Sequence, residues 1–62
     1  MYMSNLKAMR QKYNLTQMNI AKAIGVSINT IAKWENNVST PSEDNLKKLD
    51  NLFSTLRIER GE

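Results

Sequence analysis

The connection from Gly25 to Ser27 constrains the fold of this chain most, because it joins two short stretches of helical periodicity. Thr16 favours the N-cap position of the first stretch, Gly25 is suited to end it with positive φ, and Ser27 favours the N-cap of the second. A link of about three residues between helices of roughly nine residues leaves no room for a wide loop. The pattern therefore predicts helices over 16–24 and 27–36 that meet at an angle.

A further helix is predicted over residues 4–13. Leu6, Met9 and Tyr13 recur at spacings of three and four residues, which places them on one buried stripe. Ser4 is the expected N-cap, and Asn14 is a residue type that tolerates the left-handed conformation at a helix end.

A fourth helix is predicted over residues 41–52. Thr40 is its expected N-cap, Pro41 fits the first helical position, and Glu43 stands where it would close a capping box. The expected inward stripe of this helix is Leu46, Leu49, Leu52 and Phe53. In the tail 54–62, Leu56 and Ile58 alternate with Arg57 and Glu59, so an extended segment and a frayed helical turn both remain open.

The core of the angular helix pair is expected to be apolar and tightly packed. Ala21 is predicted to lie where the two helices approach most closely, because a larger side chain would separate them. The residues expected to fill the space around it are Ile20, Ile24, Val26, Ile31 and Trp34. The predicted fold is thus all-α, a compact bundle of four to five short helices in one domain, 1–62.

Composition narrows the function. The chain contains no Cys and no His, so disulfides and the usual zinc ligands are missing, and no nucleotide-binding loop is recognisable. We therefore expect no enzyme activity, no cofactor, no metal and no small-molecule substrate. The first residues do not resemble a signal peptide, and no run approaches the roughly 18 apolar residues of a membrane span, so a cytoplasmic protein without a membrane partner is expected.

Charge is distributed unevenly along the chain. Residues 1–34 contain five basic and no acidic residues, whereas residues 35–62 contain four basic and six acidic residues, which together give the net charge of +3. A basic half suits a protein that faces a polyanion such as nucleic acid. Ordinary soluble domains also show such asymmetry, so the charge alone does not decide between the two.

The helix predicted over 27–36 has a polar outer stripe. With Ile31 taken as the inward direction and about 100° per residue, Asn29 and Lys33 lie about 160° from it and Asn36 about 140°. Asn pairs with adenine through two hydrogen bonds, and Lys donates to guanine or to phosphate. The stripe is either a surface that reads bases or an ordinary solvated face.

Other residues near this helix could contact DNA as well. Ile28 and Thr30, near its start, are placed to touch a thymine methyl group. Ile28 lies only about 60° from the inward direction, so a partly buried position is the alternative. Beyond the helix, Asn36, Asn37 and Ser39 form a polar loop that could hold a phosphate.

Several segments together resemble the Cro and phage-repressor family of helix-turn-helix proteins (XRE-like). These are Leu15-Thr16-Gln17, Ile20-Ala21, Gly25-Val26-Ser27, Ile31, Trp34-Glu35-Asn36 and Thr40-Pro41-Ser42. The resemblance covers roughly residues 5–52. It implies a lambda-repressor-like fold in which the recognition helix, Ser27 to Asn36, enters the major groove of double-stranded DNA.

The resemblance also implies roles for individual residues. Gln17 resembles the residue that anchors the N-terminus of the second helix on a phosphate, and Ser27 is expected to contact phosphate as well. Arg10 and Glu35 resemble a structural ion pair between the first helix and the end of the third. The chain departs from the family at Asn37, where Gly is common. It also lacks the Gly-containing turn that often introduces a fifth helix in the family, on which the usual dimer surface depends.

Two classes of function remain. The first is a transcription regulator, a small Cro-like or phage repressor, that binds operator DNA as a homodimer. The alternative is a protein-interaction module, an antirepressor or antitoxin, that acts through a protein partner such as another repressor. Apolar residues without internal contacts would mark that surface, and the candidates are Tyr2, Phe53, Leu56 and Ile58.

Overall fold

The computed structural model describes residues 5–61, which form four α-helices and contain no β-strand. The helices are α1 (Leu6–Lys12), α2 (Gln17–Ile24), α3 (Ile28–Glu35) and α4 (Glu43–Glu59). α2 packs against both α3 and α4, and α1 packs against α3. The predicted all-α class is therefore confirmed.

The turn between α2 and α3 is fixed by local hydrogen bonds. Thr16 and Asn19 form a reciprocal capping box, in which the Thr16 hydroxyl accepts from the Asn19 amide at 3.0 Å and the Asn19 side chain accepts from the Thr16 amide at 2.8 Å. Gly25 ends α2 with φ 77° and donates its amide to the Ala21 carbonyl. The Ser27 hydroxyl then accepts from the Thr30 amide and begins α3. The two helices therefore meet across a short turn, as the sequence predicts.

Apolar side chains from all four helices form one core. Its buried members are Leu6, Tyr13, Ile20, Ala21, Ile24, Ile31, Trp34, Leu49 and Phe53. The rings of Tyr13 and Phe53 stack with their centroids 6.0 Å apart, which joins the end of α1 to α4. Val26 and Leu46 are partly buried against this core.

The first helix begins differently from the sequence prediction. Asn5 occupies the N-cap position of α1 and makes no side-chain capping hydrogen bond, while Ser4, the predicted cap, lies outside the described residues. At the other end, Asn14 has φ 57°, the left-handed conformation expected there.

The prediction that Thr40 caps the fourth helix is wrong. The N-cap is Ser42, whose hydroxyl accepts from the Asn45 amide at 3.2 Å, so Pro41 precedes the cap instead of opening the helix. Ser42 has the extended backbone of an N-cap residue, and it places Glu43 and Asp44 in the first turn, where their charge is favourable to the helix dipole.

The fourth helix also continues through the tail, which settles the open alternative in favour of a helix as far as Glu59. Leu56 packs against the core from this extension. The guanidinium of Arg60 donates to the Tyr13 carbonyl at 2.9 Å and lies 5.1 Å from the centre of the Tyr13 ring. These contacts fasten the last turns of α4 to the end of α1. None of the helices in the described part of the chain is long and apolar enough to cross a membrane.

Candidate nucleic-acid interface

The outer face of α3 is polar and exposed. Asn29 and Lys33 are exposed, and neither side chain makes a hydrogen bond or an ion pair with another described residue. On the opposite side, Ile31 and Trp34 are buried in the core. Because the inner face holds the helix in place, the outer face is available to a ligand.

Ile28 belongs to the exposed face and not to the core. Its side chain is 41% exposed, although its helical angle left a partly buried position open. The hydroxyls of Ser27 and Thr30 lie 2.9 Å apart and hydrogen bond to each other, with Ser27 exposed and Thr30 half-buried. The start of α3 therefore presents an apolar side chain next to a pair of bonded hydroxyls.

Arg10 and Glu35 form an ion pair that joins α1 to the end of α3. The Arg10 Nε donates to Glu35 Oε2 at 2.7 Å, and Nη2 donates to Oε1 at 3.2 Å. The third nitrogen, Nη1, donates to the Leu15 carbonyl at 2.9 Å in the connection before α2. The Arg10 side chain is 13% exposed and that of Glu35 only 3%. The pair therefore links three parts of the chain away from bulk water.

Gln17 is also bonded to this ion pair, a contact that the sequence analysis did not predict. Its Nε2 donates to Glu35 Oε1 at 3.1 Å, and its side chain is half-buried at the start of α2. Nothing in the sequence indicates this hydrogen bond, because Gln17 and Glu35 are 18 positions apart and belong to different helices. We call Arg10, Gln17 and Glu35 the Glu35 cluster.

Ionisation of the cluster follows from its hydrogen bonds. Burial by itself raises the pKa of Glu35, but the hydrogen bonds from Arg10 and Gln17 and the nearby positive charges outweigh it, so the pKa lies below its ordinary value. The hydrogen bond to Glu35 raises the pKa of Arg10. Both side chains are therefore charged at neutral pH.

The loop after α3 carries the remaining candidate phosphate contacts. Asn37 has φ 60°, a conformation that Asn tolerates, so the loop forms without the glycine that is common in the family. The amides of Val38 and Ser39 donate to the Lys33 carbonyl at 2.9 and 3.5 Å. The side chains of Asn36, Asn37 and Ser39 are exposed. Since Asn36 directly follows Glu35, this loop and Gln17 lie at the same end of α3.

The described residues contain few of the apolar candidates for a protein interface in exposed positions. Phe53 is buried and Leu56 packs on the core, so of the apolar residues considered for a protein partner Ile58 remains exposed, at 72%, and Tyr2 lies outside the described residues. No three acidic side chains within residues 5–61 are grouped closely enough to hold a metal ion.

Comparison with known proteins identifies the family of the chain. A family model described as helix-turn-helix matches residues 6–55, which include all of α1, α2 and α3 and most of α4. The chain is also 35% identical over 40 residues to the antitoxin PezA of Streptococcus pneumoniae serotype 4; this match covers 64% of the chain and 25% of that relative's length. No solved structure matches the chain significantly.

Proposed function

Because the chain belongs to the helix-turn-helix family of DNA-binding transcription regulators, we propose that it binds specific sequences in double-stranded DNA with α3 in the major groove. The observation that carries this proposal is the exposed face of α3. Asn29 and Lys33 stand there without partners within the described chain, opposite a buried side that fixes the helix. Two polar side chains held in this way have the chemistry that base recognition needs.

Four residues of α3 are the proposed readers of base sequence. Asn29 offers both a donor and an acceptor, which suits adenine, and Lys33 donates to guanine. Ile28 and Thr30 supply apolar contact to thymine methyl groups near the start of the helix. The 41% exposure of Ile28 is consistent with that role.

A second group of residues is proposed to contact phosphates and to set the position of the protein on the duplex. Gln17 lies at the N-terminus of α2, where free backbone amides and the helix dipole favour an anion. Ser27 is the N-cap residue of α3, directly before the corresponding end of that helix. The other members are the exposed side chains Asn36, Asn37 and Ser39 of the loop after α3. Contacts of this kind orient the protein without reading bases.

The proposed biological role is that of a small Cro-like repressor acting as a homodimer on DNA. In proteins of this kind, two copies bind half-sites about 34 Å apart, one turn of the double helix. A dimer would double both the phosphate contacts and the number of bases read, which a domain of this size needs for useful specificity.

A selection from random duplex DNA tests the proposal directly. The selected sequence and a scrambled control are then titrated at two salt concentrations. A palindrome bound far more tightly than the control would support an operator-binding dimer and give its half-site spacing. Weak and equal binding to both sequences would contradict the proposal and would direct attention to a protein partner, as the name of the antitoxin relative allows.

Substitution of the reading face gives the sharper test. We expect Asn29→Ala and Lys33→Ala each to reduce discrimination between selected and scrambled DNA by about 1–3 kcal/mol, or roughly 5- to 150-fold. Asn51→Ala and Lys48→Ala are matched controls, since they remove the same two side-chain types from exposed positions of α4. Both positions lie beside Ala23 in the C-terminal part of α2. Equal losses on both DNA sequences for the α3 variants would rule out a reading face there.

A further inference from the structure

The hydrogen bonds around Glu35 bring together the start of α2 and the end of α3, which carry proposed phosphate contacts. Its carboxylate accepts two N–H groups from Arg10 and one from Gln17. Gln17 begins α2, Arg10 holds the connection before α2 through the Leu15 carbonyl, and Glu35 ends α3 directly before the polar loop. One buried carboxylate therefore sets how the start of α2 sits against the end of α3.

The same carboxylate determines which way the Gln17 amide faces. A free glutamine amide can present either its oxygen or its nitrogen to a neighbour, but an ionised carboxylate only accepts hydrogen bonds. The Gln17 nitrogen must therefore point toward Glu35, which uses one of its two N–H groups. A phosphate is also only an acceptor, so the second N–H is the group of this side chain that can bind one.

Arg10 makes this arrangement compatible with an anionic ligand. An unpaired carboxylate next to a DNA phosphate would repel it, and the repulsion is stronger where water is excluded. Arg10 lies 2.7 Å from Glu35 and cancels its charge. The Gln17 amide is thereby held by an acceptor that contributes no net negative charge.

We propose that Glu35 is a positioning residue for DNA binding, which holds the Gln17 amide with its second N–H directed to a backbone phosphate. The proposal rests on the proposed function. It predicts that Gln17 no longer contributes to DNA affinity once Glu35 is removed, even when the fold is intact.

The variant Arg10→Met/Glu35→Met removes the carboxylate without leaving either charge unpaired. The signals of the Gln17 side-chain NH2 group in nitrogen-15 NMR spectra report its hydrogen bonding in the absence of DNA. We expect these signals to move toward those of exposed glutamines in the double variant, while the backbone amide signals of α2 and α3 stay dispersed. Unchanged Gln17 NH2 signals in a folded double variant would overturn the proposal.

DNA affinity supplies the second test, as a cycle of substitutions at one salt concentration. We expect Gln17→Ala to weaken binding about 10-fold on selected and scrambled DNA alike, consistent with a hydrogen bond to a charged group. In the Arg10→Met/Glu35→Met background the same change should cost less than about 2-fold, because its contribution is already lost. Ser39→Ala is the matched control, and its effect should be the same in both backgrounds.

The outcomes distinguish the positioning role of Glu35 from the proposed DNA-binding function. Full losses for Gln17→Ala in both backgrounds, in a chain that binds DNA, would overturn the positioning role alone. Absence of duplex binding by the native chain would overturn the proposed function and the positioning role with it. If the double variant does not fold, Glu35→Asp replaces it, since aspartate keeps a negative charge beside Arg10 and we expect its shorter side chain to move the acceptor away from Gln17. The same reduced effect of Gln17→Ala is then expected.

Discussion

Replacing Arg10 with methionine is expected to destabilise the fold by stranding the Glu35 carboxylate. That side chain is only 3% exposed, and it would lose its hydrogen bonds of 2.7 and 3.2 Å to Arg10 while keeping the one from Gln17. Removal of one partner from a buried pair costs about 3–5 kcal/mol. Because the molecule measures 21 and 20 Å along its shorter axes, solvent is close to every site, and the lower end of that range, about 3 kcal/mol, is expected.

A loss of this size is large for so small a domain. At about 0.05–0.15 kcal/mol per residue, a chain of 62 residues has roughly 3–9 kcal/mol of total stability. The melting temperature of Arg10→Met should therefore fall by about 12–24 °C. In Arg10→Met/Glu35→Met no charge is stranded, and the remaining cost is that the Leu15 carbonyl and the half-buried Gln17 amide lose their partners, about 1–2 kcal/mol in total.

Thermal and urea unfolding, followed by circular dichroism at neutral pH, measure these differences. Lys22→Met is the matched control, since Lys22 is an exposed basic residue on α2, and its effect should stay within about 0.5 kcal/mol. If the single and double variants lose the same stability, the stranded carboxylate is not the cause. A loss below about 0.5 kcal/mol for Arg10→Met would show that the pair contributes no more than an exposed one.

The other predictions concern pH and the start of α4. Because the pKa of Glu35 is lowered in the folded state, its pairing stabilises the fold above the ordinary value of 4.5, and this contribution is lost as pH falls below 4.5. Urea midpoints measured across this range should therefore fall more steeply for the native chain than for Arg10→Met/Glu35→Met; equal slopes would contradict the coupling. Ser42→Ala should cost about 1 kcal/mol and Thr40→Ala less than about 0.5 kcal/mol in the same assay, and the reverse order would restore Thr40 as the cap.

Local interactions explain why the central helix pair could be predicted from the sequence. The hydrogen bonds of Thr16 and Ser27 reach only three residues ahead, and the positive φ of Gly25 depends on that residue type. The exposed positions of Asn29 and Lys33 follow from helical periodicity once Ile31 is taken as the inward direction. These features require no knowledge of the rest of the chain.

Local rules did not distinguish the two possible starts of α4. Thr40 and Ser42 are both good N-cap residues, and a proline favours an extended backbone in the residue before it, which is also the backbone of a cap. The pattern with Pro41 in the first turn therefore fitted as well as the observed one. In the structure Ser42 provides the hydrogen bond, to Asn45.

Contacts between distant parts of the chain account for the features that the sequence did not show. Arg60 reaches the Tyr13 carbonyl across 47 positions, and this contact together with Leu56 on the core favours a helix where alternation left an extended tail open. Gln17 reaches Glu35 across 18 positions. Such pairs depend on how the helices pack, and periodicity along one helix contains no information about them.

Under the proposed function, stability and DNA recognition depend on different residues of α3. Ile31 and Trp34 anchor the helix in the core and Glu35 ties its end to α1 and α2, whereas the side chains of Asn29 and Lys33 make no hydrogen bond or ion pair within the described chain. If the proposal is right, we expect substitutions at these two exposed positions to change the bases that are read with little effect on stability. Glu35 couples the two properties, because the same carboxylate is needed for the ion pair and for the direction of the Gln17 amide. We therefore expect a change at Glu35 to affect every DNA sequence alike, since the contact that it is proposed to support is made to a phosphate and not to a base.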